Sequence, residues 1–124
     1  MVQWVLHGAR PAVKRISAYF FASASGREPV REWLLSLDRG DRRVIGEDVA
    51  TAEFGWPVGM PVCRSLGSGL FEIRSNLAGN RIARVIFCIK DGQMVLLNGF
   101  VKKTQKTPKT ELELARRRMK ELER

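Results

Sequence analysis

The chain has 124 residues, 44% hydrophobic and 28% charged. That is enough for one globular core and too apolar for wholesale disorder. Its 22 Lys and Arg against 13 Asp and Glu leave a net charge of +9, an excess that draws polyanions such as nucleic acid, the ribosome, an anionic membrane or an acidic protein. No run approaches the roughly 18 apolar residues of a membrane span. The opening MVQWVLHGARPAVKR lacks the unbroken apolar centre and cleavage site of a signal peptide. Cys63 and Cys88 are far apart and the single histidine is His7, which is no zinc pattern. These features describe a cytoplasmic, soluble domain with no metal or cofactor, no membrane partner, and reduced, buried thiols.

In chain order, VKRISAYFFASASG carries Ile16, Tyr19, Phe20 and Phe21 and predicts an opening strand near residues 15–22. In GREPVREWLLSLDRGD, Pro29 suits a first helical position, and Val30, Trp33, Leu34 and Leu37 make one apolar stripe ending before Gly40. DRRVIGEDVATAEFG predicts a second helix, with Asp41 as N-cap, a stripe of Val44, Ile45, Val49, Ala52 and Phe54, and Gly55 as its stop. The two should form a hairpin. A Gly/Pro-rich connection comes next, with a short extended piece around Val62. LFEIRSN then alternates Phe71 and Ile73 against Glu72 and Arg74, the period of a half-buried strand. RIARVIFCIK is apolar from Val85 to Ile89 and reads as a central strand, Asp91-Gly92 as a hairpin turn, and MVLLNGFV as the return strand. TPKTELELARRRMKELER predicts a closing helix with Thr107 as N-cap, Pro108 at its first position and Leu112, Ala115, Met119 and Leu122 inward. The order β, α, α, a three-strand meander and α implies an α+β domain, its helices on one face of a mostly antiparallel sheet.

Charge is unevenly spread. From Lys102 to Arg124, nine cations face four anions, so five of the nine net charges sit in the last 23 residues. Part of this excess has an ordinary reading: ARRRMKELER as a solvated helix face with Glu113–Arg117 support. The strand cations form a more distinctive set. Arg74 shares a face with Glu72, the next strand brings Arg81 and Arg84, and Lys102 and Lys103 mark the last strand's end. If the meander pairs in order, these converge on one polar region. Arg and Lys without metal ligands or a Ser/His/Asp set suit phosphodiester chemistry: they bind the phosphate, stabilise transition-state charge and help protonate a leaving oxygen. With RNA, the substrate's own 2′-OH serves as nucleophile. Glu72 is open to two roles, general base or salt-bridge partner of Arg74 or Arg84. Tyr19, Phe71 and Phe87 read as core. Phe100, beside the lysines, is the candidate for stacking on a base. His7, outside the strand pattern, receives no role.

The stretches GREPVREWLLSL, LGSGLFEIR, RIARVIFCI and MVLLNGFVKKTQKTPKTELELAR resemble the RelE/ParE toxin superfamily, in particular its HigB-like, phage-derived branch. The resemblance runs from about Lys14 to the end. It implies a RelE-like fold, with two N-terminal helices on a mostly antiparallel sheet and a C-terminal helix, over a single domain spanning 14–124. Residues 1–13 precede the usual start and are an N-terminal extension: an upstream-start artefact, a disordered tail or an antitoxin contact. The resemblance also implies a type II toxin–antitoxin system whose antitoxin carries a helix-turn-helix domain (HigA-like). The implied activity is metal-independent, ribosome-dependent cleavage of mRNA, leaving a 2′,3′-cyclic phosphate. Arg74 matches the basic position of the GLFEIR strand, Arg84 the arginine of the next strand, and Lys102 and Lys103 the basic pair after GF. These four carry the expected catalysis. Arg81, Phe100, Lys106, Arg116, Arg117 and Arg118 are expected to contact RNA. The chain departs from the family pattern at Asn98, where many relatives carry histidine, and at Ala83, where an aromatic is common. Two other readings stay open on the sequence, a ParE-like gyrase inhibitor and a non-enzymatic basic module that binds nucleic acid or antitoxin.

Overall fold

A computed structural model describes residues 13–59, 61–102 and 106–123, so the N-terminal extension, apart from Val13, lies outside the described residues. The elements are β1 (Ala18–Phe20), α1 (Pro29–Ser36), α2 (Arg39–Gly55), β2 (Cys63–Gly67), β3 (Leu70–Leu77), β4 (Arg81–Lys90), β5 (Gln93–Lys102) and α3 (Lys109–Glu121). The five strands form one mixed sheet in the order β1-β5-β4-β3-β2. β1 runs parallel to β5 and every other pair is antiparallel. This is the α+β, RelE-like architecture that the sequence implies.

The apolar periodicities account for the layers. Val30, Trp33 and Leu34 of α1 and Val44, Ile45, Val49 and Ala52 of α2 pack with Ile73, Val85, Phe87 and Leu96 on one side of the sheet. Leu112, Ala115 and Met119 of α3 pack with Leu70, Ile86, Cys88 and Leu97 on the other. The expectation that all helices share one face is therefore corrected: α3 covers the opposite face. The reason is legible in β4, whose run Ile82–Cys88 is buried on both faces and so needs a cover on each. Phe71 and Phe87 stack at 5.5 Å between centroids, with Trp56 edge-on to both, so these two aromatics are core as expected, whereas Tyr19, read as core with them, is exposed on β1.

Local chemistry moves several boundaries. Only Ala18–Phe20 of the predicted opening strand pairs, because its partner on β5 is limited to Met94–Leu96. The cap of α2 is Asp38, not Asp41. Asp38 lies in extended backbone and its carboxylate accepts from the Asp41 N–H at 2.9 Å, while the Asp41 side chain is taken by Arg81. At α3 the cap is Pro108, and the Thr107 hydroxyl is directed elsewhere. The β4–β5 hairpin turns on Asp91 and Gly92, both at positive φ (52° and 74°), the two-residue turn that Asp-Gly favours.

A single irregularity in β5 determines which of its side chains face α3. β5 pairs with β4 at Ile86↔Asn98 and then at Phe87↔Leu96, leaving Leu97 as an extra residue, a β-bulge. The bulge switches the parity of β5. Val95 and Leu97 face α3, and so do Phe100 and Lys102. Met94 and Leu96 face α1 and α2, as do Gly99 and Val101.

Candidate functional site

On the α3 side of the sheet, cross-strand register assembles a charged cluster from four strands. Arg64 of β2 stands opposite Glu72 of β3. Two pairs further along, on the same face, Arg74 stands opposite Arg84 of β4, and Lys102 of β5 lies opposite Ile82. Two arginines directly opposite each other repel unless an anion is close, and Glu72 supplies it. Glu72 and Arg84 are both fully buried; the Arg84 Nε lies 3.7 Å from Glu72 Oε1. Arg64 Nη2 is 2.6 Å from Glu72 Oε2, a close ionic contact rather than an aligned hydrogen bond. The Thr107 hydroxyl donates to Glu72 Oε1 at 2.7 Å and accepts from Arg64 Nη2 at 3.3 Å. A closed ring of Arg64, Thr107 and Glu72 thus fastens the β5–α3 connection onto the sheet. Burial pulls the Arg84 guanidinium below its ordinary pKa; Glu72 opposes this shift, while Arg74 and Arg64 add to it.

The expected site residues fall into three groups. Arg74 and Arg84 are brought together, with Glu72 beside them; Lys102 is exposed at the end of β5 and Lys106 is exposed before α3. Arg74 is half-buried, whereas Arg84 offers no surface in this arrangement. Lys103 lies outside the described residues. A second group is engaged in holding the fold. Arg81 donates through both terminal nitrogens to the Asp41 carboxylate at 2.8 and 3.0 Å and through Nε to the Ala78 carbonyl, tying the start of β4 to α2. Arg118 donates to the carbonyl of the bulge residue Leu97 at 2.7 Å and lies 6.0 Å from the Phe21 ring centroid. Phe100 is buried in the α3-side core. The third group is Arg116, half-buried, and Arg117, exposed, on α3.

Sequence reasoning overlooked three contributors. Arg64 lies on a five-residue edge strand whose Gly-flanked sequence shows no readable period, so its face could not be assigned. Thr107 looked like a helix cap. Asn98 donates through Nδ2 to both the backbone and the side-chain oxygen of Glu111, at 3.1 and 3.0 Å, joining β5 to the first turn of α3. The sequence places Asn98 within the return strand and marks it only as the position where many relatives carry histidine.

Cys63 and Cys88 are free and buried, on opposite sides of the sheet. Desolvation pushes the Cys63 thiol up to about 11, with Asp48 adding to the shift, and raises Cys88 as well. Among the described residues, no group of three or more His, Cys, Asp or Glu side chains is placed to hold a metal ion. Nor is any helix among them long and apolar enough to cross a membrane.

No curated protein matches the chain. A family model described as phage-derived protein Gp49-like (DUF891) matches residues 32–120, a span that contains Arg64, Glu72, Arg74, Arg84, Lys102 and Thr107. The chain therefore belongs to the phage-derived Gp49-like (DUF891) family, part of the RelE-like toxin group.

Proposed function

We propose that this protein is the toxin of a type II toxin–antitoxin pair and acts as a ribosome-dependent mRNA endonuclease of the HigB-like branch. The observation that supports this reading most is the cluster of Arg64, Arg74, Arg84 and Lys102 on one sheet face, organised around the buried carboxylate of Glu72. A sheet face with several fixed cations and one internal counter-ion suits a phosphodiester. Its non-bridging oxygens gain charge as the 2′-oxygen bonds to phosphorus, and guanidinium forks match them in geometry.

In the reaction, the 2′-hydroxyl gives its proton to solvent water and attacks phosphorus. The P–O5′ bond breaks, the 5′-oxygen takes up a proton, and a 2′,3′-cyclic phosphate remains on the upstream fragment. Arg74 and Lys102, which reach the surface, bind the phosphate and stabilise its developing charge; Lys103, next in the sequence, is the further cation assigned to this role. Lys102, exposed at the end of β5, delivers a proton to the leaving oxygen. Arg84, beneath them, positions Arg74 and sets the local potential. Glu72 is the anchor of the cluster, since burial and its contacts to Arg64, Arg84 and Thr107 occupy the carboxylate that a base would need free. Messenger RNA in the decoding site is the substrate, and the partner outside the ribosome is a cognate antitoxin whose acidic surface would neutralise the +9 chain.

Mapping 5′ ends on a defined mRNA, with and without programmed ribosomes, tests this. Cuts inside translated codons only when ribosomes are present are expected. They should be lost in Arg74→Ala and Lys102→Ala variants that keep the wild-type circular-dichroism spectrum. Intact mRNA with folded protein would sink the nuclease reading and turn attention to gyrase supercoiling assays.

A further inference from the structure

The ring that fastens the β5–α3 connection has an asymmetry. Its carboxylate is fully buried, but its arginine is not: the Arg64 side chain keeps 34% of its surface exposed. Arg64 also sits on β2, the edge of the sheet, so among the described residues no further strand screens it on its outer side. Its guanidinium is held from beneath by Glu72 at 2.6 Å and from the side by the Thr107 hydroxyl at 3.3 Å. A long arginine side chain held at two points loses less freedom on binding an anion than a solvated one, and its planar fork presents a fixed direction.

Register also gives Arg64 a place in a larger pattern. Arg64 lies in the row Arg64–Glu72–Ile86–Asn98, Arg74 and Arg84 in the next row with Phe100, and Lys102 in the row beyond, with Ile82. The cations therefore run diagonally across the sheet from the β2 edge to the end of β5, a span of about 20 Å from ordinary strand spacing and rise. A single phosphate needs only one end of such a stripe. A strand of RNA crossing the sheet would meet Arg64, Arg74 and Lys102, the members of the stripe that reach the surface.

We propose that Arg64 is a further phosphate-contacting residue, receiving the RNA backbone at the β2 edge, with Glu72 and Thr107 as the residues that aim it. This rests on the RNA-cleaving function proposed for the cluster and adds where the strand enters. The alternative role for Arg64 is purely structural, neutralising Glu72.

The two roles separate in a salt titration of binding between the purified full chain and a short labelled single-stranded oligouridylate. Arg64→Gln keeps donors for Glu72 and Thr107 and removes the charge, so it should lower the slope of log K against log salt by about 0.7, one single-strand phosphate contact. Arg64→Lys should restore that slope. Thr107→Val keeps every charge but releases the guanidinium; it should weaken binding at fixed salt and leave the slope unchanged. A structural Arg64 would change the melting temperature and not the slope, so an unchanged slope in folded Arg64→Gln overturns the proposal. Should Arg64→Gln not fold, wild-type affinity in Thr107→Val overturns it instead, as does a wild-type chain that does not bind the oligonucleotide. The nuclease reading fails separately: absence of ribosome-dependent cuts with the slope change present removes the cleavage and keeps the contact.

Discussion

Gly99 is the residue whose replacement gives the sharpest test of the packing. It lies on β5 opposite Val85, in ordinary extended backbone, so an alanine there carries no dihedral strain. The obstacle is the Trp33 indole of α1. A Cβ at position 99 would fall inside the ring's contact distance at Cε3, Cζ3 and Cδ2, far too close for any side chain. The ring is partly buried against the α1/α2-side core, so relief requires α1 or its indole to shift. Overpacking of this kind costs about 1–3 kcal/mol, and removing a strand glycine returns roughly 0.5–1 kcal/mol of unfolded-chain entropy. The expected net loss is about 1–2 kcal/mol. For a chain of this size that lowers the melting temperature by roughly 4–8 °C. Urea or thermal denaturation of Gly99→Ala measures it, and the same substitution in a Trp33→Leu background identifies the cause: there the penalty should shrink or reverse. A Gly99→Ala protein as stable as wild type, or one penalised equally in both backgrounds, would refute the close approach of Trp33 to β5.

Other outcomes come from the charged contacts and the thiols. Glu72→Ala leaves the buried Arg84 guanidinium without its carboxylate and should destabilise the fold by about 3–5 kcal/mol in chemical denaturation, whereas Glu72→Gln should cost less. Arg81 holds the Asp41 carboxyl below the usual range, so the stability it contributes is complete above the unfolded carboxylate pKa of about 3.9 and disappears as pH falls through the lower folded value. Denaturation midpoints of wild type and Asp41→Asn should therefore differ at neutral pH and converge on acidification below about pH 4; a gap that widens in acid contradicts the pairing. Cys63 and Cys88, buried with raised thiol pKa values, should react with a disulfide reagent at pH 8 only slowly in the folded chain and at once in denaturant. Rapid reaction of either in the native protein would place it at the surface.

The elements of this fold were legible in the sequence wherever a pattern is carried by adjacent residues. Pro29 with the Val30, Trp33, Leu34 stripe marks α1, Phe71 to Arg74 alternates along β3, and Asp91-Gly92 turns the hairpin, because each depends on local backbone geometry and a single period. Helix caps were less legible. Asp38 and Asp41 are equally good capping residues by type, and which one serves is decided by Arg81, forty residues away. Thr107 was misassigned for the same reason: its hydroxyl finds Glu72, thirty-five residues distant, in place of its own helix.

The composition of the candidate site was also present in the sequence, as a set of arginines and lysines around Glu72 on strands of opposite direction. What tertiary structure alone decided is which of them share a face. Counting by twos from Met94 would put Lys102 on the side of α1 and α2, and only the extra residue Leu97 returns it to the face of Arg74 and Arg84. The same face gains Arg64 because edge pairing sets it opposite Glu72, while Arg81 and Arg118, as basic as the others, are engaged by Asp41 and by the Leu97 carbonyl. Residue type and local period come from short-range sterics and hydration, which neighbouring residues specify. Register, bulges and ion-pair partners come from contacts between distant segments, and those exist only once the sheet has formed.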